Sequence, residues 1–143
     1  MILVDANLLL YAANHAAPEH ERAREWLDAR INGTTAVGLP WPSLTAFLRL
    51  ATNPVVVRHP VTTAEAWRQV EEWLDCEPVW VPLAGEAHRS LVAGFLKASW
   101  MTSRLVPDAH LAALAIEHGL TLQSTDGDFA RFPALKWENP LAA

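Results

Sequence analysis

The chain has 143 residues, 51% of them hydrophobic, which is long enough for one domain with a proper core and too apolar for a disordered segment. Its formal net charge of -5 argues against a broad basic nucleic-acid surface but leaves room for a local basic groove. The single Cys76 permits no internal disulfide, the N-terminus lacks a signal-peptide pattern, and no run approaches the ~18 apolar residues of a membrane span. The expectation is one cytoplasmic domain over residues 1–143, with no membrane partner.

Taken in order, Ile2, Leu3 and Val4 form an unbroken apolar run, as a strand covered on both faces of a parallel sheet does. Asp5 ends the run, and a helix is expected over Ala6 to Ala13. Glu19 to Ile31 reads as an amphipathic helix with Ala23, Trp26, Leu27 and Ile31 inward, stopped by Gly33. Thr35 to Leu39 is a short strand. Pro42 and Ser43 open a helix whose Leu44, Phe47, Leu48 and Ala51 share a core face, ended at Asn53-Pro54. Val55 to Pro60 reads as extended. Thr63 is the expected N-cap of a helix over Ala64 to Leu74, with Ala64, Trp67, Val70 and Leu74 inward.

Val79 to Leu83 is a strand that its flanking prolines hold to an edge or keep short. Gly85 to Ser99 is a helix with Ala87, Leu91, Phe95 and Leu96 inward. Trp100 to Val106 is a loop, and Pro107 begins a helix that runs to His118, with Gly119 as its stop. Thr121 to Ser124 is a strand, Thr125 to Phe132 a turn with a short helix, and Leu135 to Glu138 a last short strand. Strands alternate with helices almost throughout, so the class is α/β, a three-layer α/β/α fold on a mainly parallel central sheet.

Four acids stand out against this frame. Asp5 ends the first strand, Asp108 lies in the first turn of VPDAHLAALAIEHG, and Asp126 and Asp128 follow LTLQST. Carboxyl ends of parallel strands and amino ends of the helices share one rim, so the four can converge. Clustered Asp without a His or Cys set suits a hard cation such as Mg²⁺ or Mn²⁺, which can activate water for phosphodiester cleavage. Simpler readings stand beside this one. Asp108 also suits a helix dipole, and Asp126 and Asp128 also suit a turn. Asp5 resists such a reading, because it interrupts a buried run and is costly to bury alone.

ILVDANLLLYA, VPDAHLAALAIEHG and STDGDFARFP together resemble the PIN-domain family, and most of all its VapC-type toxin ribonucleases of type II toxin–antitoxin pairs. LPWPSLTAFLRLATNP is similar to the corresponding stretch of one branch. The resemblance implies a Mg²⁺- or Mn²⁺-dependent endoribonuclease that acts on RNA, forms a homodimer and is neutralised by a VapB-type antitoxin. It implies Asp5, Asp108 and Asp126 as metal-site and catalytic positions with Asp128 a fourth, and Asn7 and Thr125 as polar groups steadying them. The family usually carries an acid, most often Glu, on the helix after the second strand. By placement Phe47 stands there, on an apolar core face.

Phosphate contacts need cations beside the acids, and Arg49, Arg104 and Arg131 are the candidates, with solvated arginines or intersubunit ion pairs as the plain alternative. The six His form no ligand set, and the aromatics sit mostly at core spacing, so no base-stacking platform is expected. A catalytically weak or inactive RNA- or protein-binding module of the same fold is the alternative function, motivated by Phe47. A phosphatase using Asp5 as nucleophile fits less well, because position 7 is Asn and Lys97 and Lys136 lie outside the motifs.

Overall fold

A computed structural model describes residues 1–142. The elements run β1 (Ile2–Val4), α1 (Ala6–Ala13), α2 (His20–Ile31), β2 (Val37–Gly38), α3 (Trp41–Ala51), α4 (Thr63–Leu74), β3 (Val79–Trp80), α5 (His88–Leu96), α6 (Val106–Glu117), β4 (Thr121–Gln123) and β5 (Trp137–Glu138). Short 3₁₀ turns at Ser103–Leu105 and Gly127–Arg131 flank α6 and β4. The strands form one sheet in the order β3-β2-β1-β4-β5, and every pairing in it is parallel. No helix among the described residues is long and apolar enough to cross a membrane.

The pleat of β1 divides the core. Ile2 and Val4 pack with residues of α1 to α4 on one face, among them Leu9, Leu27, Leu44 and Val70. Leu3 packs on the other face with Phe95 of α5, Leu111 and Leu114 of α6, and Leu122. Alternate residues of a strand point to opposite faces, so a run apolar at every position is what a doubly covered sheet requires. The expected three-layer α/β fold is therefore the one adopted. The chain leaves β1 toward β2 on one side and places β4 on the other, so the strand order reverses between β1 and β4. Such a reversal opens a crevice at the carboxyl ends of the strands.

Several elements differ locally from the sequence reading. The α4 cap is Thr62 rather than Thr63: its hydroxyl accepts from the Glu65 amide at 3.1 Å, and Glu65 reaches back to the Thr62 amide at 3.3 Å. The buried face of α4 is Ala66, Val70 and Trp73, while Ala64 and Trp67 are exposed. Trp73 takes the inward place because it meets the Phe47 ring edge-on, with centroids 4.9 Å apart. Helix α5 is shorter than expected, because the Glu117 carboxylate accepts from the amides of Gly85 and Ala87 and holds that stretch as a turn. Residues 55–60 are turns rather than extended, with the amides of Val56 and Val57 both donating to the Asn53 carbonyl. Gly119 ends α6 as expected, at φ +66°.

The capping box gives a direct check on the corrected start of α4. Thr62→Ala is expected to lower stability by about 1 kcal/mol in urea unfolding, while Thr63→Ala changes it little. Equal losses from the two substitutions would contradict this cap.

Candidate active site

Asp5 follows β1 and caps α1. Its Oδ1 accepts from the Ala6 amide at 2.8 Å, and its Oδ2 accepts from Ser124 Oγ at 2.7 Å. Asp108 sits in the first turn of α6, which Pro107 pre-shapes. Asp126 opens the 3₁₀ turn after β4, accepting from the Asp128 amide at 2.9 Å. One carboxylate oxygen from each of Asp108, Asp126 and Asp128 lies within 4.8 Å of the others. Asp5 stands outside that trio, but its charge reaches both Asp108 and Asp126.

Burial pushes the Asp108 carboxyl up to about 6, with further pushes from the charges of Asp126, Asp5 and Asp128. Burial also raises Asp5, against the lowering effect of its bonds from Ser124 and Ala6. Asp128 is held below the usual carboxylate range by its hydrogen bond from the Arg104 guanidinium. The 3₁₀ turn brings Arg131 Nε to 3.8 Å from the other Asp128 oxygen. Of the expected cations, Arg104 and Arg131 thus join the cluster. Arg49 does not: it is exposed in the last turn of α3, eight residues and roughly 12 Å along the helix from the end that faces the rim. Phe47 is 1% exposed in the core, so that position brings no group to the crevice.

Ser124 is the organising residue that the sequence reading passed over. It is fully buried at the end of β4. Its hydroxyl donates to Asp5 and accepts from Asn7 Nδ2 at 3.1 Å and the Asp126 amide at 3.0 Å. One donor and two acceptor sites are all that a hydroxyl offers, so Ser124 is saturated. It ties the β1 acid to the β4 acid across the crevice. Asn7 thus meets the cluster through Ser124, while Thr125 enters through its backbone amide, 3.5 Å from Asn7 Oδ1. The available signal was a pair of polar residues, Gln123 and Ser124, closing the strand just before the acids.

Hard carboxylate oxygens at this spacing fit a divalent cation such as Mg²⁺ or Mn²⁺. Asp5 fits too, because four lone-pair directions minus two hydrogen bonds leave it free acceptor capacity. A family model described as "PIN domain" matches residues 2–135. The chain belongs to the PIN-domain family. This PIN domain is 43% identical over 141 residues to Ribonuclease VapC33 of Mycobacterium tuberculosis, covering 99% of each chain. It is 39% identical over 142 residues to Ribonuclease VapC37 of the same organism, again covering 99% of each. Among solved structures it is similar to VapBC2 from Rickettsia felis bound to a promoter DNA fragment, with TM-score 0.66, 18% identity and 97% and 98% of the two chains covered. It is also similar to FitAcB from Neisseria gonorrhoeae, with TM-score 0.61, 19% identity and 98% of each chain covered. At these identities the two structures speak for the PIN fold alone.

Proposed function

We propose that this PIN domain is a divalent-metal-dependent endoribonuclease and the toxin of a cytoplasmic VapBC-type toxin–antitoxin pair. The observation that carries the reading is the trio Asp108, Asp126 and Asp128, gathered with Asp5 at the β1/β4 crevice. The full-length relatives named as VapC ribonucleases support it. A VapB-type antitoxin and a second copy of the chain are its proposed protein partners, and RNA its substrate.

In this reading Asp108, Asp126 and Asp128 hold Mg²⁺ or Mn²⁺, with Asp5 adding charge from the β1 side. The cation, when bound, supplies charge stabilisation at the phosphate and lowers the pKa of water. In the metal-free protein the Asp108 carboxyl is held up at about 6, so its charge gains from a bound cation. Ser124 and Asn7 keep Asp5 and Asp126 from separating. Arg104, with 66% of its side chain exposed, is free to turn from Asp128 to an RNA phosphate.

Cleavage of total tRNA and ribosomal RNA by the purified, partner-free chain tests the function. Discrete products with Mn²⁺ or Mg²⁺, lost with a chelator, are expected. No products from any RNA with either metal would contradict the reading and favour the binding-module alternative. Arg104→Ala is expected to weaken RNA binding about tenfold and to reduce its salt dependence by about one counterion. Unchanged affinity and salt slope would remove Arg104 from the RNA path.

A further inference from the structure

The two most exposed tryptophans are paired across helices. Trp41 is 40% exposed and Trp67 is 41% exposed. Their rings are nearly parallel, 9° between planes, with centroids 6.3 Å apart. Trp41 is the first residue of α3 and Trp67 lies in the second turn of α4, so the pair is built by tertiary packing rather than by one helical stripe.

The sheet register brings the start of α3, and with it Trp41, to the same rim as Asp5. β1 pairs with β2 in the register Leu3↔Gly38, and counting on two residues puts Pro40 level with Asp5. Trp41 follows Pro40 directly. Adjacent strands are about 4.8 Å apart, so the chain turns into Trp41 beside the strand end that carries Asp5.

The size of the patch decides between occupants. Two indoles of up to about 250 Å² each, some two-fifths exposed, offer roughly 200 Å². A standard protein interface needs about 800 Å² per partner, with apolar neighbours around its core. Here the exposed neighbours one helical turn away along the two helices are Thr45, Thr63, Ala64 and Glu71, and the one apolar side chain among them is the small Ala64. A solvent-exposed pair of nearly parallel indoles of this size matches one nucleobase, and stacking on aromatic rings is how unpaired strands are held without sequence readout.

We propose that Trp41 and Trp67 form a base-stacking subsite that seats one unpaired nucleobase of the RNA next to the acidic cluster. The proposal rests on the nuclease reading and adds to it a preference for unpaired RNA. The subsite fixes the strand's path from the β1/β4 crevice toward β2, and it acts on binding rather than on the chemical step.

The test measures binding of a fluorescein-labelled unpaired oligoribonucleotide by anisotropy, in the full chain carrying Asp108→Asn so that bound RNA stays intact. Trp41→Ala and Trp67→Ala are each expected to raise Kd roughly tenfold or more, while Trp41→Phe and Trp67→Phe keep most of the affinity. Without Asp108→Asn, the alanine variants are expected to raise KM and leave kcat nearly unchanged. Circular dichroism and melting confirm that each variant is folded. Unchanged Kd in both alanine variants overturns the subsite while leaving the nuclease standing. Loss of self-association or of antitoxin binding with RNA affinity intact also overturns it and assigns the ledge to a protein. Failure of the parent chain to bind any RNA overturns the subsite and the nuclease reading together.

Discussion

Asp108→Asn is expected to lower RNA cleavage by at least about two orders of magnitude and, in the same protein, to raise the melting temperature of the metal-free form. The first effect follows from removing the charge of one of three converging carboxylates, comparable to the loss of a single charge-stabilising group in other active sites. The second follows from the partial burial of the charge and from repulsion. Asp108 is half-buried and faces the charges of Asp126, Asp5 and Asp128. Neutralising it while keeping its shape removes that cost, worth about 1 kcal/mol or a few degrees for a chain of this size. Asp28→Asn is the control, because Asp28 is exposed and meets only Arg24, at 3.8 Å. There neither activity nor stability is expected to move by more than about 0.5 kcal/mol. Assays of cleavage and melting on the same preparations check both halves. An active Asp108→Asn, or one that melts lower than the parent, would contradict the account.

The metal-free protein is also expected to lose stability as pH rises from about 4 to 6, the reverse of an ion-paired carboxylate. Asp108 titrates near 6 when folded and near its ordinary 3.8 when unfolded. Between those values the folded chain binds a proton that the unfolded chain has released, so stability falls across that window and levels off above it. Asp5, raised by burial, acts in the same direction, while Asp128, lowered by Arg104, acts in the opposite one at more acidic pH. A cation reverses the trend, because it binds the ionised carboxylates and its stabilisation grows as pH rises through about 6. At a hundred times its Kd, Mn²⁺ would add about 2.7 kcal/mol. Calorimetric melting with and without Mn²⁺ should therefore show a large upward shift at pH 7.5 and a small one at pH 5. Equal shifts at the two pH values would exclude Asp108 from the cation site.

Much of this arrangement was legible in the chain. An acid closing a buried run was enough to find Asp5, and the parallel-sheet rule was enough to bring Asp108, Asp126 and Asp128 to its rim. Gly119 was readable because a left-handed residue suits a helix stop. Other features were hidden for identifiable reasons. Trp67 and Trp73 are equally apolar, and only the position of Phe47 across the helix pair decides that Trp73 turns inward. Arg49 and Arg104 are alike in sequence, and only the direction of α3 away from the rim separates them. Ser124 reads as an ordinary strand-end hydroxyl until three partners from β1, α1 and the following turn meet on it. The Trp41–Trp67 ledge joins residues 26 positions apart on two helices, which no periodicity within one helix can reveal.

The most direct measurement is a calorimetric titration of Mn²⁺ into the metal-free protein at pH 7.5, beside Asp108→Asn. Saturable binding to the native chain is expected, with its loss or severe weakening in the variant. Identical isotherms for the two proteins, or no heat from the native chain, would contradict the claim that these aspartates form the cation site.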